Sequence, residues 1–388
     1  QTGRRLLICP PMPDDPGEPS TRTSESSSPF HEQRVLVLHN VDFPDNSDEV
    51  LGHESRLDVV NQAHDVSRAL VTHDHFVDVM GIDSDDLADL LGRLREDPPD
   101  LVFNLVESLA QLGLHEKVVP SLLELFDVPF TGSGAMTIAL CGNKQRAKQI
   151  LKAEGLQTPR WAVLDGVARS RVSDVAAVSG VGYPAIVKLL AEDGSLGLTF
   201  NSVVFDDDGL RRQLKTMREQ FPGRKLLVEQ YIDGRELYVS MLGDRLLPIA
   251  ELDMSSMPPE VPRIVTYDCK WDKNSPDYHY APTSMVAVGL SPAVTDRVLS
   301  VARQCFTALG VTDYGRIDLR LAKDGTPYVL EVNPNCDLSD GAGLAKAARA
   351  AGIPYDQVTE TIGVSAKERF ASEQLPLKQR VRPIRSAI

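Results

Sequence analysis

Short apolar runs alternate with amphipathic segments in the first third of the chain. Residues 34–40 (RVLVLHN) predict a buried strand, and residues 54–72 have the apolar spacing of a helix. The alternation continues with predicted strands at 75–81, 99–106 and 128–134, and with predicted helices at 83–97 and 115–126. Strands and helices that alternate in this way are typical of a parallel sheet covered by helices.

The pattern changes after a long predicted helix at 136–154. It is followed by predicted strands at 158–164, 183–190, 198–205 and 225–232, with one helix at 206–221. A Gly-Asp turn at 243–244 then joins two apolar stretches into a hairpin. After a loop-like stretch at 255–285, helices are predicted at about 292–309, 341–351 and 355–371. This part of the chain is expected to combine helices with hairpins.

A second predicted hairpin concentrates polar residues on one face. Its strands are residues 313–321 and 328–333, joined by a turn that contains Asp-Gly. Side chains two residues apart on a strand share a face, so pairing Asp318 with Glu331 would bring four polar groups together. These are Arg316, Asp318, Glu331 and Asn333, and the opposite side, expected to face the core, carries Ile317, Leu319, Leu330 and Val332.

The carboxylate and amide oxygens of this cluster are hard ligands, which suit Mg²⁺ held together with phosphate. For Asp318 or Glu331 taken alone, a solvated strand face is the simpler interpretation. The four-residue set, which ends in an Asn-Pro turn, favours a metal site.

Two lysines are candidate phosphate ligands. Lys188 lies within the apolar strand 183–190, where an ammonium group needs a partner such as phosphate. The glycine-bearing stretch 191–197 (AEDGSLG) can present backbone N–H groups to phosphate oxygens, with a plain turn as the alternative. Lys144 opens a helical stretch, and a solvated helix lysine is the alternative there. No GxxxxGK[ST] motif occurs, which excludes a P-loop.

Length and charge limit the classes of protein to consider. The 388 residues, 42% of them hydrophobic, are enough for two or three domains. A formal net charge of −14 makes nucleic acid a poor partner. No apolar stretch reaches the roughly 18 residues that a membrane span needs, and no signal-peptide pattern opens the chain. A cytoplasmic location without membrane association is expected.

The cysteines and the first residues add little chemistry. The cysteines are scattered along the chain, which indicates reduced thiols in the core rather than a zinc site. They are Cys9, Cys141, Cys269, Cys305 and Cys336. Residues 10–29 are rich in Pro, Ser and acid, which predicts a flexible tail.

Taken in chain order, the polar residues resemble a known family. The order is Lys144, Lys188, the GSLG loop (194–197), Glu229, Glu236, Lys270, Arg316-x-Asp318 and Glu331-x-Asn333. It resembles the ATP-grasp superfamily and, within it, the D-alanine–D-alanine ligase branch. The resemblance implies an α/β fold, in which an N-terminal parallel α/β domain precedes two α+β domains that clasp ATP. The implied divisions are a tail at 1–33, domains at 34–140, 141–235 and 236–375, and a tail at 376–388.

The resemblance assigns roles residue by residue. For the nucleotide, the resemblance implies that Lys144 and Lys188 contact the phosphates. It implies that Glu229 binds adenine, together with the backbone near Tyr231 and Ile232, and that Glu236 binds the ribose. The roles for the reaction are Lys270 for the transferred phosphate, Arg316 for the acyl phosphate, Ser195 in the closing loop, and Asp318, Glu331 and Asn333 for two Mg²⁺ ions, with Mn²⁺ as a possible substitute. The implied reaction joins a small-molecule carboxylate to an amine, and a homodimer is possible.

The residues expected to bind the carboxylate and amine substrates depart from the family pattern. Residues 37–49 lack the family's glycine-rich loop, and residues 102–116 lack its His-Gly pair. Asp337 and Ala342 lie near the family's Pro-Gly turn and carboxylate-binding Ser, and Trp271 follows Lys270 where the family tends to have Tyr. Substrates other than two D-alanines are therefore expected.

Alternatives remain open at two levels. Asp337 has two interpretations. It either favours a cationic substrate or caps the following helix, and the cap is the preferred interpretation. At the level of function, a small-molecule kinase on the same scaffold and a non-catalytic ATP-binding regulator are alternatives to the ligase.

Overall fold

A computed structural model describes residues 30–41, 53–167, 171–192, 194–280 and 283–378. The predicted tail at 1–33, the loop at 37–49 and the tail at 376–388 lie largely outside these residues, and the division into domains remains a prediction. No helix in the described ranges is long and apolar enough to cross a membrane.

The first layer is the expected parallel sheet. Its strands, in the order β2-β1-β3, are β1 (Arg34–Asn40), β2 (Phe76–Ile82) and β3 (Leu101–Leu105). The helices of this region are α1 (His53–Val71), α2 (Leu87–Glu96) and α3 (Val118–Leu125). The strand predicted at 128–134 is wrong: Phe130 makes a single parallel bridge to Val102.

The second layer begins with two helices where one was predicted. They are α4 (Ala135–Cys141) and α5 (Lys144–Ala153). The side chain of Asn143 accepts a hydrogen bond from the backbone N–H of Arg146 and so caps a new helix. The break places Lys144 at the first position of α5.

An antiparallel four-stranded sheet follows, in the order β4-β7-β5-β6. Its elements are β4 (Trp161–Gly166), α6 (Arg171–Val178), β5 (Ala185–Leu189), β6 (Val203–Val204), α7 (Asp207–Gln220) and β7 (Gly223–Gln230). Helix α6 was not predicted. The strand predicted at 198–205 is reduced to the two residues of β6, because a 3-10 turn occupies Phe200–Ser202.

The third layer is a six-stranded antiparallel sheet in the order β11-β10-β8-β12-β13, with β9 also paired to β8. Its strands are β8 (Gly234–Leu242), β9 (Arg245–Leu246), β10 (Ala250–Asp253), β11 (Thr283–Val286), β12 (Tyr314–Ala322) and β13 (Pro327–Asn333). Its helices are α8 (Tyr267–Lys270), α9 (Pro292–Leu309), α10 (Gly343–Ala350) and α11 (Tyr355–Lys378). Both predicted hairpins are confirmed, although 255–285 contains α8 and β11 as well as loops.

The register of the second hairpin is the one expected. Asp318 lies opposite Glu331, and Arg316 opposite Asn333. The register then shifts, so that Leu319 lies opposite Val329. This irregularity turns Leu330 away from the core and into a cavity, while Val329 takes the core position. The expectation that Leu330 faces the core was therefore wrong.

The last helix ties the first layer to the third. The Arg369 guanidinium donates to the carbonyl oxygens of Phe130 (2.7 Å) and Gly132 (3.1 Å) and to Asp313 Oδ2 (3.0 Å). Asp313 Oδ2 also accepts from the Gly132 N–H at 2.9 Å. The side chain of Asp313 is 2% exposed. Burial raises the pKa of Asp313 despite the nearby guanidinium.

We predict that Arg369→Met lowers the free energy of unfolding by about 3 kcal/mol, because it leaves a buried carboxylate without its counter-ion. The substitution raises the folded-state pKa of Asp313 further, so the folded variant takes up a proton more readily as the pH falls, and the loss should be larger near pH 7.5 than near pH 5. Urea unfolding measures both values. The control is Lys323→Met, which breaks an exposed pair with Asp233 and should leave the free energy of unfolding nearly unchanged. Equal losses in the two variants would contradict the assignment.

Candidate active site

A cavity of about 590 Å³ lies between the four-stranded and six-stranded sheets and extends to the edge of the parallel sheet. Every residue to which the family resemblance assigned a role lines it: Lys144, Lys188, Ser195, Glu229, Tyr231, Ile232, Glu236, Lys270, Arg316, Asp318, Glu331 and Asn333. The residues selected from the sequence therefore line one cavity, while their assignment to a site and their individual roles remain predictions.

The polar face of the second hairpin forms one wall. Arg316 donates to both oxygens of Asp318, from Nε at 2.7 Å and from Nη2 at 3.0 Å. Burial raises the pKa of Asp318, and the ion pair with Arg316 offsets only part of this effect. Burial acts the same way on Glu331, but the charges of Lys144 and Lys188 outweigh it and lower its pKa.

These residues fit a magnesium ion only with help from a substrate. No group of three or more His, Cys, Asp or Glu side chains that could hold a metal occurs among the described residues. The set has two carboxylates and Asn333, whose buried Nδ2 has no hydrogen-bond partner in the described part of the chain. Mg²⁺ is commonly held by one or two carboxylates plus phosphate and water, so this donor set is sufficient beside a nucleotide.

Glu229 and Lys188 lie on the opposite wall, and Lys148 pairs with Glu229 from helix α5. Lys188 Nζ lies 2.5 Å from Glu229 Oε1, and Lys148 Nζ lies 2.9 Å from Oε2, so one carboxylate forms ion pairs with two ammonium groups. The side chains of Glu229 and Lys148 are 2% and 1% exposed. Burial acts to raise the pKa of Glu229, but the two ammonium groups outweigh it and the pKa is lowered. Each oxygen of Glu229 thus lies beside an ammonium group. A hydrogen bond from adenine would have to use a remaining lone pair of one of these oxygens.

Lys148 was missed by the sequence analysis. It lies four residues after Lys144 on α5, so the two share a helix face, and this spacing was the available signal. Its Nζ also donates to Thr158 Oγ1 at 2.8 Å. Burial lowers the pKa of Lys148, although Glu229 opposes this effect.

Lys144 spans the two walls. Its Nζ donates to the Glu192 carbonyl oxygen at 2.6 Å and lies 3.7 Å from Glu331 Oε2. One ammonium therefore connects the loop after β5 with the carboxylate at the end of β13.

The loop that carries Ser195 is held in an unusual backbone conformation. Ser195 has φ +64°, in the left-handed region, and its carbonyl accepts from the Leu198 N–H at 2.9 Å. A Cβ at Gly197 would lie 2.7 Å from the Phe221 ring, so glycine is required there. The Trp271 indole N–H donates to the Gly194 carbonyl at 2.9 Å and fixes the loop to α8.

The end of the cavity near β8 has apolar walls and one engaged carboxylate. Glu236 accepts from Arg320 Nη2 at 2.7 Å and from the Tyr238 hydroxyl at 3.2 Å. Arg320, also missed from the sequence, is 3% exposed. The apolar wall consists of Ile186, Tyr231, Ile232, Leu252 and Ile264.

Lys270 faces the cavity from the end of α8 and lies over the Trp271 ring, with Nζ 4.6 Å from the centroid. The crowded walls desolvate its ammonium and Arg316 adds positive charge, so the pKa of Lys270 is lowered.

Comparison with known proteins identifies the family. The family model described as D-ala D-ala ligase C-terminus matches residues 150–362, more than half of the chain. The D-alanine–D-alanine ligase of Nitrosomonas europaea is 34% identical over 244 residues, which cover 63% of this chain and 73% of that protein. The chain belongs to the D-alanine–D-alanine ligase family. The ligase of Pseudomonas fluorescens is 31% identical, over 74% of this chain and 80% of that protein.

Solved ligases share the fold. The Bacillus anthracis D-alanine–D-alanine ligase complexed with ATP superposes with a TM-score of 0.67 at 22% identity, covering 88% of this chain and 99% of that one. The Coxiella burnetii ligase gives 0.65 at 17% identity, with coverage of 90% and 98%. The ATP-grasp fold expected from the sequence is therefore confirmed, and the chain is homologous to ADP-forming ligases that make C–N bonds.

We predict that Glu229→Gln weakens both the fold and nucleotide binding, because Lys148 and Lys188 lose their shared counter-ion. The expected stability loss is on the order of 3 kcal/mol. Urea unfolding measures the loss, and calorimetric titration with a non-hydrolysable ATP analogue measures the affinity, which should fall at least about tenfold.

Glu219→Gln is the matched control, because Glu219 pairs with Lys215 on the exposed face of α7. It should leave both quantities unchanged. Wild-type affinity in Glu229→Gln would show that the three charges serve the fold alone.

Proposed function

We propose that the protein is an ATP-dependent carboxylate–amine ligase that forms an amide or peptide bond through an acyl phosphate. The observation that carries this proposal is the convergence, in one cavity, of the Arg316–Asp318–Glu331–Asn333 face with Lys144, Lys188 and Lys270. Membership of the ligase family supports it. The substrates are small molecules, and the cytoplasm is the expected location.

The nucleotide is proposed to lie between the two antiparallel sheets. Adenine occupies the apolar end beside Tyr231 and Ile232, near Glu229. The ribose hydroxyls are proposed to donate to the carboxylate of Glu236. This carboxylate contacts Arg320 and Tyr238 as well, and it has lone pairs left for two further hydrogen bonds. Lys144 and Lys188 then point at the phosphates. The Ser195 loop, linked to Lys144 through the Glu192 carbonyl, covers them.

Asp318, Glu331 and Asn333 would hold Mg²⁺. The ion supplies charge neutralisation for the phosphates and for the transfer of the γ-phosphoryl group. Arg316 donates once to each oxygen of Asp318, and each of these oxygens keeps a second lone pair that a metal ion can use. The remaining N–H groups of the guanidinium are available to the reacting carboxylate.

The reaction proceeds in two substitutions. A substrate carboxylate oxygen attacks the γ-phosphorus, and the bond to ADP breaks. The amine nitrogen of the second substrate attacks the acyl carbon, the carbon–oxygen bond breaks, and phosphate leaves with its electrons. Lys270 is proposed to hold the transferred phosphate, and Arg316 the oxyanion that forms on the acyl carbon.

The decisive experiment measures phosphate release from Mg-ATP with amino acids and dipeptides, singly and in pairs, followed by mass spectrometry. ADP together with a new amide would establish the ligase. ADP with a phosphorylated product would favour the kinase, and ATP binding without turnover for any pair would favour the regulator.

We predict that Glu331→Gln and Asp318→Asn each reduce phosphate release at least about a hundredfold, because each removes a charged oxygen from the metal–phosphate site. Asp318 is only 5% exposed, so its replacement should also cost roughly 2 kcal/mol, with unfolding still cooperative. The control is Asp233→Asn, an exposed carboxylate outside this face. Wild-type turnover in both site variants would overturn the metal assignment.

A further inference from the structure

Besides Glu116, whose Oε1 accepts from Asn335 Nδ2 at 2.9 Å, three carboxylates line the end of the cavity that borders the parallel sheet. Asp58 belongs to α1, Glu107 follows β3, and Asp337 follows β13. The carboxyl ends of parallel strands are where open α/β sheets bind ligands. This group is therefore part of the same cavity as the proposed phosphate-transfer site.

Gln62 links Glu107 to the segment that carries Asp337. Its Nε2 donates to Glu107 Oε1 at 3.3 Å, and its Oε1 accepts from the Leu338 N–H at 2.9 Å, directly after Asp337. Asp58 precedes Gln62 by one helical turn, so both lie on the same face of α1. The first and third layers thus contribute to one acidic subsite.

The charges of this subsite are not balanced by the protein. None of Asp58, Glu107 and Asp337 forms an ion pair within the part of the chain that the structure describes. Lys270 is the lysine whose charge acts on Asp58 and Glu107 and is itself affected by Asp337. The other nearby cation, Arg316, is paired with Asp318. One ammonium group therefore faces three carboxyl groups, and the pKa values of two of them, Asp58 and Glu107, are raised.

Asp337 does not cap the following helix. Its Oδ1 accepts from the N–H and the hydroxyl of Ser339, at 2.8 and 2.6 Å. Helix α10 begins at Gly343, and its N-cap, Ala342, makes no side-chain cap. The preferred sequence interpretation was wrong, and this carboxylate is fixed by a local turn at the cavity wall.

Electrostatic strain in the subsite agrees with a missing positive charge. Burial and the like charge of Asp337 raise the pKa of Glu107 to about 8, although Gln62 and Lys270 oppose this effect. Burial and Asp337 also raise the pKa of Asp58. A bound cation would remove both penalties.

We propose that this subsite binds an alkylammonium group, so that one substrate of the ligase is a diamine or a basic amino acid. The inference rests on the proposed function. The reacting amine must be neutral when it attacks the acyl carbon, so the proposed charge belongs to another amino group. The charge proposed is one beyond the α-ammonium that every amino acid carries. Glu107 and Asp337 are its specificity-determining residues.

The test uses charge-matched pairs of probes in calorimetric titrations with Mg²⁺ and a non-hydrolysable ATP analogue. The pairs are 1,4-diaminobutane against 1,4-butanediol, and ornithine of either hand against norvaline. We expect the charged member of at least one pair to bind about tenfold more tightly or better. Preference for diaminobutane identifies a diamine, and preference for ornithine alone identifies a basic amino acid. Equal binding within both pairs, or none, would overturn the inference.

Two variants locate the effect. Glu107→Gln and Asp337→Asn should each lose about tenfold in affinity for the charged probe, while affinity for the nucleotide analogue is unchanged. Glu96→Gln, at the exposed end of α2, is the control and should behave as wild type. Undiminished affinity in both site variants would contradict the assignment.

The affinity for the charged probe should rise as the pH increases from about 6.5 to about 8.5, because Glu107 must lose its proton to pair with the ammonium. The groups that face it are Asp58, Gln62, Asp337 and Lys270. The rise should be absent in Glu107→Gln, and a pH profile unchanged by that substitution would count against the pairing.

Turnover separates this inference from the proposed function. Amide formation from two uncharged substrates, faster than from any charged one, would leave the ligase standing and overturn the subsite. Selective binding of the charged probe, with no ADP released for any partner, would leave the subsite standing and count against the ligase.

Discussion

The antiparallel pairing of β12 with β13 is the constraint on which the site depends. Its register places Asp318 opposite Glu331 and Arg316 opposite Asn333, and the alternating sides of the strands send Ile317 and Val332 into the core. A slip by one residue would exchange the polar and apolar sides. The core that stabilises the sheet therefore also fixes the polar face of the hairpin.

The rest of the cavity is organised by charge. Glu229 is buried with two ammonium groups, and Lys144 connects the loop after β5 to Glu331. Such an arrangement is costly without complete pairing, because a buried charge that loses its partner is strongly unfavourable. In the part of the cavity proposed for ATP, most charged side chains lie beside a side chain of opposite charge. The carboxyl groups of the acidic subsite have no such partners among the described residues. This contrast is why the uncompensated carboxylates point to a substrate.

Local patterns in the sequence were sufficient for most of the strands and for the polar hairpin face. Alternation of apolar and polar residues, together with the Asp-Gly turn, defined the register of Asp318 and Glu331 before any long-range contact was known. The family resemblance supplied the lysines and the nucleotide contacts. These signals are either local or carried by residues in a characteristic order.

What the sequence could not supply depends on contacts between distant segments. Lys148 and Arg320 look like ordinary charged residues until Glu229 and Glu236 lie against them. The irregularity that turns Leu330 into the cavity has no local signature. The meeting of Glu107 with Asp337 requires the first and third layers to pack together, and Gln62 gave no sign of its bridging role.

The most direct test of the central claim is a crystal structure with Mg²⁺ and a non-hydrolysable ATP analogue. The account predicts phosphates between Lys144, Lys188 and the Ser195 loop, with Mg²⁺ bound by oxygens of Asp318, Glu331 and Asn333. A nucleotide bound elsewhere, or a metal that avoids all three oxygens, would contradict it.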